Sequence, residues 1–286
     1  HNGFDVDQQL ATEITGIDVV LTGHTHDAVP EAIRIKNTLI LSSGSHGKYL
    51  GRIDLKVSGG EVVDANSTLI PIFSDVIAPD PEITKLIGEL RAPYEKECSR
   101  IIGQAGALLY RRGNFNGSWD DVICDAIRDQ KDVEIALSPG FRWGTTLLPA
   151  QPITIDDIYT QTAMNYPAVY RTHMTGEQLK NMLEDVCDNL FNPNPYYQQG
   201  GDMVRVGGVS YECAPKELIG KRIQNMVMSR TGEPLESDKK YTVGGWASIN
   251  PKTKGPAIYD VLEEYITRKK IIQPSGTDYV KVTGVS

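Results

Sequence analysis

Three of the five histidines in this 286-residue chain lie within its first 26 residues. His24 and His26 follow an apolar, β-rich run at residues 17–21, and His1 begins the chain. Alternate side chains of an extended segment share a face, so the imidazoles of a His-x-His pair can reach one metal ion or two adjacent ions. A polar loop with two exposed histidines has the same pattern. The spacing therefore indicates either a metal site or a solvated loop.

Composition narrows the class of protein that carries these histidines. The 29 basic and 37 acidic residues give a net charge of −8, and the isoelectric point is about 5.2. A chain with this net charge is not expected to have the broad basic face that phosphate contacts need, so no nucleic-acid partner is expected. The chain has no run of 18 apolar residues, so no membrane-spanning segment is expected either. The four cysteines show no Cys-x-x-Cys spacing, which excludes a zinc ribbon or a thioredoxin-like motif.

The elements that position the histidines form the first of three predicted regions. Strands are predicted at 17–21, 38–42, 50–57 and 61–72. Residues 1–73 therefore resemble the closing part of a larger α/β or layered β domain. An amphipathic helix is predicted to begin at residues 80–81 and to break near Pro93, so residues 74–100 are predicted as a linker helix.

The third region, residues 101–286, has the pattern of an α+β domain. Ser118 and Asp121 predict a capped amphipathic helix, and residues 175–178, Thr-Gly-Glu-Gln, predict a capping box that opens another. Predicted strands lie at 134–137, 205–211 and 241–245, and the last helix spans about 258–266.

The first-region motifs resemble those of the calcineurin-like metallophosphoesterases. Residues 1–3, His-Asn-Gly, and residues 23–26, Gly-His-Thr-His, match two motifs of that family. The resemblance implies that His1, His24 and His26 are ligands of a two-metal centre. The other ligand motifs of the family do not occur here, and in the family they lie upstream. The chain is therefore expected to be an N-terminally truncated fragment that is inactive by itself.

The third region resembles the C-terminal domain of 5′-nucleotidases. Residues 152–159, Pro-Ile-Thr-Ile-Asp-Asp-Ile-Tyr, carry this resemblance together with the capping box at 175–178 and residues 220–223 and 241–243. The implied fold is the end of a four-layer metallophosphoesterase-type α/β sandwich, a linker helix and a C-terminal α+β domain. Arg142 has the position of the first arginine that holds the anion, where a guanidinium can grip a tetrahedral oxyanion through two hydrogen bonds. A surface salt bridge is its alternative role.

Several stretches depart from nucleotidases. Residues 246–251, Trp-Ala-Ser-Ile-Asn-Pro, replace the glycine-rich stretch of the base-binding site, and further departures lie at 114–121, 138–144 and 200–208. Together they resemble the SoxB family of thiosulfohydrolases from bacterial sulfur oxidation. The resemblance implies a periplasmic hydrolase with two manganese ions, although zinc fits the same donors. The substrate that the resemblance implies is a cysteine S-thiosulfonate on the C-terminal Gly-Gly-Cys arm of the carrier SoxY, from which sulfate would be released.

An extended carrier arm needs a channel lined by backbone, and the glycines of 200–208 permit a close backbone approach. Asp202 and Arg205 are therefore predicted substrate contacts, with a tight hairpin as the alternative explanation of the glycines. Trp143 is predicted either to line the anion pocket or to pack in the core. His46 and His173 are predicted to have structural roles.

Two other functions stay open at this stage. One is a 5′-nucleotidase or related phosphoesterase, which needs two facing aromatic rings to hold a base; Trp246 and Tyr197 are candidates without clear motif positions. The other is a module that binds a carrier peptide without chemistry.

Overall fold

The computed structural model describes residues 1–111, 113–274 and 279–284, which form a mixed α/β structure in two compact units. One unit is His1–Leu90 with Asn192–Gly200, and the other is Arg91–Phe191 with Gly201–Ser286. The division at Leu90 falls ten residues before the predicted start of the third region at 101. That residues 192–200 belong with the first unit was not predicted, because the partners of this segment are distant in the chain. None of the helices in the described residues has the length and apolar character that a bilayer crossing requires.

The first unit contains one small mixed sheet, one long hairpin, two α-helices and a 3₁₀ turn at Pro195–Tyr197. Its elements are α1 (Phe4–Glu13), β1 (Val19–Thr22), β2 (Ile33–Ile35), β3 (Thr38–Ser42), β4 (Tyr49–Ser58), β5 (Glu61–Pro71) and α2 (Pro81–Arg91). In the sheet β1 pairs in parallel with β3, and β2 pairs antiparallel on the other side of β3. Strands form at the four predicted positions and a helix begins at Pro81, as predicted, whereas the linker role of residues 74–100 stays a prediction. Strand β2 was not predicted because the alternation of Ile33 and Ile35 around exposed Arg34 covers only three residues, too few to indicate a strand.

The second unit contains three sheets and five helices in its described residues. Its elements are α3 (Glu95–Cys98), β6 (Ile101–Ala105), α4 (Ser118–Lys131), β7 (Ile135–Ser138), β8 (Pro152–Thr154), α5 (Ile155–Gln161), β9 (Tyr170–Thr175), α6 (Gly176–Phe191), β10 (Arg205–Gly207), β11 (Val209–Cys213), β12 (Ile223–Met228), β13 (Lys240–Gly245), α7 (Ile258–Lys269), β14 (Ile271–Ile272) and β15 (Val280–Val282). The strand orders are β10-β7-β13-β9, β12-β11-β15 and β14-β6-β8.

The sheet β10-β7-β13-β9 has a hydrophobic cluster on each face. Along β7 the side chains alternate, with Ile135 and Leu137 in the cluster below α6 and Ala136 in the cluster below α4. Trp119 of α4 and Leu183 of α6 are buried on these two sides. Burial on both faces holds β7 firmly, so the loop that follows it starts from a fixed point.

Two of the helix starts have capping boxes. At α6 the Gln178 N–H donates to Thr175 Oγ1 at 3.2 Å and Thr175 N–H donates to Gln178 Oε1 at 2.9 Å, as predicted. At α5, Thr154 and Asp157 exchange the same pair of bonds. Both boxes satisfy N–H groups that the first helical turn would leave unpaired.

The predicted cap at Ser118 is wrong. Gly117 is the N-cap of α4, and Ser118 is its first helical residue. The Ser118 hydroxyl instead donates to Leu108 O at 2.6 Å and accepts from the Tyr110 N–H at 3.0 Å. It therefore fixes the chain before the helix, because a hydroxyl has both a donor and an acceptor to use.

Candidate functional site

The first unit brings His1 and His24 into contact. His1 Nε2 lies 3.2 Å from His24 Nδ1, and the two rings meet edge to face with centroids 4.8 Å apart. His24 Nε2 is also 3.3 Å from the carbonyl oxygen of Gln199. The loop after β1 and the residues before α1 therefore meet at one imidazole pair.

His26 has a different neighbour. The His26 N–H donates to Gly23 O at 3.1 Å, so residues 23–26 form a tight turn and not the extended segment on which the His-x-His argument relied. In this turn the His26 ring lies edge to face with the ring of His46, with centroids 5.8 Å apart. Both residues have positive φ angles, 61° and 58°. His46, predicted to be structural, thus packs beside a predicted metal ligand.

The His1 and His24 ring nitrogens have the separation of two ligands of one transition-metal ion. Metal–nitrogen bonds are about 2.0–2.1 Å long, so two nitrogens 3.2 Å apart can bind one ion at an angle near 100°. Within the ranges 1–111, 113–274 and 279–284, no group of three or more His, Cys, Asp or Glu side chains has the spacing of a metal site. His1 and His24 therefore fit as two ligands of one ion, which leaves the rest of its coordination sphere to other groups.

Gly200 permits the His24 position. Its φ is +72°, and a Cβ at this residue would lie 2.5 Å from His24 Nε2. Only glycine combines this backbone conformation with so close an approach. The glycine-rich segment 200–202 thus has a packing reason at its first residue.

We expect Gly200→Ala to displace the His24 ring and to break its contact with His1. Gly201→Ala is the matched control, because Gly201 also has a positive φ, +96°, but an added Cβ meets no atom within 4 Å. Both substitutions carry the strain of a positive φ, roughly 1 kcal/mol. The histidine side-chain NMR signals should shift at His1 and His24 in Gly200→Ala and stay in place in Gly201→Ala. Equal shifts in both variants would show that backbone strain alone is responsible.

In the second unit, five charged residues form a continuous charged network, which consists of Arg111, Asp120, Arg142, Asp202 and Arg205. Arg111 donates to Asp120 Oδ1 from Nε at 3.0 Å and from Nη2 at 2.6 Å. Arg205 Nε lies 3.3 Å from Asp120 Oδ2, and Arg205 Nη2 donates to Asp202 Oδ2 at 3.0 Å. Arg142 Nε lies 3.7 Å from Asp202 Oδ1.

Exposure differs along the charged network. The side chains of Arg111, Asp120, Asp202 and Arg205 are at most 2% exposed, whereas that of Arg142 is 14% exposed. The network therefore reaches the surface at Arg142, while the buried members hold one another in place.

The predicted substrate contacts Asp202 and Arg205 form an ion pair with each other in the interior of the second unit. Arg205 also donates to Gly113 O, in addition to its two carboxylate partners. Both side chains are buried, so a direct contact with a substrate stays a prediction, and their observed contacts are those of positioning residues for Arg142. Arg111 and Asp120 were not predicted, since nothing near either residue in sequence marks the other as its partner.

Aromatic rings pack beside Arg142. Trp143 stacks on Phe141 with ring centroids 4.0 Å apart, and the Arg111 guanidinium lies 5.1 Å from the Phe141 ring centre. Trp246 meets Phe141 edge to face, is buried, and donates its indole N–H to Ser138 Oγ at 2.9 Å. Trp143 thus packs against the core, and Trp246 lacks the exposed face that a base-stacking ring requires.

Gly208 explains part of the second glycine-rich stretch. Its φ is +82°, and a Cβ there would lie 2.1 Å from the Glu134 carbonyl oxygen. The glycine is therefore required where β10 turns into β11, beside the start of β7. At Gly208 this agrees with the tight hairpin that was the alternative explanation of the glycines.

The second unit can be assigned to a family by comparison with known proteins. A family model described as the 5′-nucleotidase C-terminal domain matches residues 109–264, which is 156 of the 286 residues. The chain belongs to this family. Its 5′-nucleotidase C-terminal domain contains every member of the charged network and every aromatic residue beside Arg142. The predicted C-terminal domain type is confirmed.

A solved structure of the sulfate thiohydrolase SoxB from Thermus thermophilus, in complex with glycerol, is 32% identical to the chain, with a TM-score of 0.94 over 100% of this chain and 54% of that one. This confirms the predicted resemblance to SoxB. The trifunctional nucleotide phosphoesterase YfkN of Bacillus subtilis is 23% identical over 85% of the chain and 17% of its own length. The 5′-nucleotidase of Rattus norvegicus is 22% identical over 100% of the chain and 58% of its own length. The chain thus spans 54% and 58% of the lengths of SoxB and the rat 5′-nucleotidase, and 17% of the length of YfkN.

Proposed function

We propose that the chain is part of a SoxB-type hydrolase that releases sulfate from a cysteine S-thiosulfonate. The observation that carries the proposal is the placement of Arg142, which is the most exposed member of the otherwise buried charged network. The similarity to the Thermus thermophilus sulfate thiohydrolase, over the full length of this chain, supports the sulfur substrate.

Arg142 has the task of holding the oxyanion. Sulfate and phosphate are tetrahedral anions of similar size, and a guanidinium grips either through parallel N–H donors. Asp202 Oδ1 lies 3.7 Å from Arg142 Nε, so its charge favours the observed placement of the guanidinium. A preorganised donor of this kind stabilises negative charge that grows on the substrate as the bond breaks.

His1, His24 and His26 are proposed as ligands of a two-manganese centre. The first two fit as neighbouring donors to one ion, and His26, beside His46, is the proposed ligand of the second. When bound, such ions would supply Lewis-acid chemistry and a water nucleophile active at neutral pH. The remaining ligands are expected from the other motifs of the metallophosphoesterase family, within the four-layer α/β sandwich whose end residues 1–73 would form.

The partner and the location follow from the SoxB similarity. We propose that the C-terminal Gly-Gly-Cys arm of a SoxY-type carrier delivers the thiosulfonate and that the hydrolase acts in the periplasm. The negative net charge accords with the absence of a nucleic-acid partner from this proposal.

A 5′-nucleotidase is the second candidate, because the family model and two of the relatives carry that activity or a related one in their names. The burial of Trp246 counts against it, since a base needs an exposed face on each of two rings and, of the two candidate rings, only Tyr197 is exposed. A peptide-binding module without chemistry is the third candidate.

One assay separates the three candidates. The full gene product, loaded with manganese, would be given a Gly-Gly-Cys peptide that carries the S-thiosulfonate and, in parallel, AMP. We expect sulfate from the peptide and no phosphate from AMP. Phosphate without sulfate would replace the proposal with a nucleotidase, and peptide binding without either product would replace it with a binding module. A His24→Gln variant is the control for metal-dependent release.

A further inference from the structure

Two buried thiols lie side by side in the second unit. Cys187, on α6, and Cys213, the last residue of β11, both have 0% exposure. Their Sγ atoms are 3.6 Å apart and share a hydrogen bond. Both belong to the hydrophobic cluster that packs between α6 and the sheet containing β7.

The other cysteines are placed differently. Cys98 is half-buried in the short helix α3, and Cys124 is buried in α4 within the other hydrophobic cluster. Within the described ranges, which include all four cysteines, the sulfur contact of Cys187 and Cys213 is the only one between thiols. A disulfide needs sulfurs within about 2 Å on side chains that face each other, and only this pair approaches that arrangement.

We propose that Cys187 and Cys213 are a disulfide site that an oxidising environment converts to a cystine joining α6 to β11. This inference is independent of the proposed function, because it concerns the core beneath the sheet and requires neither metal nor substrate. It assigns a covalent modification to a pair of residues whose types and sequence positions did not predict one.

The two thiols divide the roles in the exchange reaction. The hydrogen bond between the two thiols lowers the pKa of Cys213 and raises the pKa of Cys187. Burial acts against the thiolate at Cys213. The hydrogen bond nevertheless makes Cys213 the better nucleophile of the two, since the thiolate is the attacking species.

The oxidant is a small disulfide such as oxidised glutathione. The Cys213 thiolate attacks one of its sulfurs, a mixed disulfide forms, and one thiol leaves. Cys187 then loses its proton and attacks the Cys213 sulfur, which releases the second thiol. The pair loses two electrons and two protons, and the oxidant becomes two thiols. Because both sulfurs are fully buried, the exchange requires a chain in which α6 has yet to pack or has opened locally.

The bond would close a loop of 26 residues along the chain. This loop contains Asn192–Gly200, which pack in the first unit, as well as Asp202 and Arg205 of the charged network. A crosslink at its base limits the freedom of the loop in the unfolded chain, which raises the melting temperature.

The test is a thiol count on the complete chain. The protein would be refolded with oxidised and reduced glutathione, denatured without reductant, and treated with N-ethylmaleimide. We expect two alkylated thiols, a mass about 2 Da below that of the reduced chain before alkylation, and a crosslinked peptide that joins Cys187 to Cys213. Four alkylated thiols, or a crosslink through Cys98 or Cys124, would overturn the proposal.

Two variants and one melting measurement complete the test. The double variant Cys98→Ser/Cys124→Ala should retain the crosslink and show no reactive thiol after oxidation, whereas Cys213→Ala should lose the crosslink. Reduction of the wild-type chain should lower its melting temperature by roughly 6–12 °C. Reductant should leave that of Cys213→Ala unchanged. If Cys213→Ala fails to fold, the thiol count on the wild-type chain decides alone.

Discussion

We expect Asp120→Asn to lower the free energy of unfolding of the second unit by about 3–5 kcal/mol. The Asp120 carboxylate lies between the guanidinium groups of Arg111 and Arg205, and all three side chains are at most 2% exposed. Asparagine keeps the shape and one acceptor oxygen but removes the charge. Two buried guanidinium groups would then share a neutral partner, and neither can lose its proton.

The prediction depends on whether the buried Asp120 carboxyl is ionised or protonated in the folded protein. Burial raises the pKa of Asp120, and the charges of Arg111 and Arg205 act in the opposite direction. The Arg111 fork places two N–H donors on Asp120 Oδ1, at 3.0 and 2.6 Å, and these bonds favour the carboxylate. We therefore expect the charged form in the folded protein at neutral pH.

The measurement is thermal and denaturant unfolding of the second unit, with Asp129→Asn as the matched control. Asp129 lies on the same helix, α4, and also pairs with an arginine, Arg268, but on the surface. A surface ion pair contributes less than about 1 kcal/mol. The expected fall in melting temperature is roughly 6–20 °C for Asp120→Asn and far less for the control. Equal effects would mean that Asp120 is protonated in the folded protein, since asparagine mimics that form.

Sequence patterns predicted those helices and strands whose signals lie within a few neighbouring residues. The bounds of β3 match the prediction at both ends, because Thr38 and Ser42 flank an apolar run of three residues that is typical of a buried strand. The α6 capping box was predictable because its two partners are three positions apart. The start of α4 was not, because Ser118 uses its hydroxyl on the preceding loop, and that loop has no periodicity to reveal its path.

The sites depend on contacts between distant positions, which the sequence leaves open. His24 and Gln199 are 175 positions apart, and Arg205 reaches Gly113 over 92. Residue type predicted that histidines and Arg142 would matter, since few side chains bind metals or oxyanions. It could not predict that His46 would meet His26, or that the two residues predicted beside the substrate would be buried around Asp120. A charged side chain is buried only where an oppositely charged partner lies beside it, and for Arg205 one such partner, Asp120, is distant in the sequence.

We expect Arg142→Ala to reduce kcat/KM of the full gene product by roughly 10²–10³-fold on whichever substrate the assay of sulfate and phosphate release identifies. Arg142 is the partly exposed member of the network, so its loss removes the proposed oxyanion donor while Arg205 and Asp202 keep their ion pair. The effect on unfolding should accordingly be small, in contrast to Asp120→Asn.

Two comparisons make this result specific to the guanidinium. Arg142→Lys keeps the charge but not the planar fork, so we expect it to recover only part of the loss. Arg171→Ala removes an exposed arginine from β9, in the same sheet, and should leave kcat/KM within about twofold of the wild type. If Arg142→Ala matched Arg171→Ala in turnover while both remained folded, the oxyanion would be held by another group, and the charged network would then serve the stability of the domain alone.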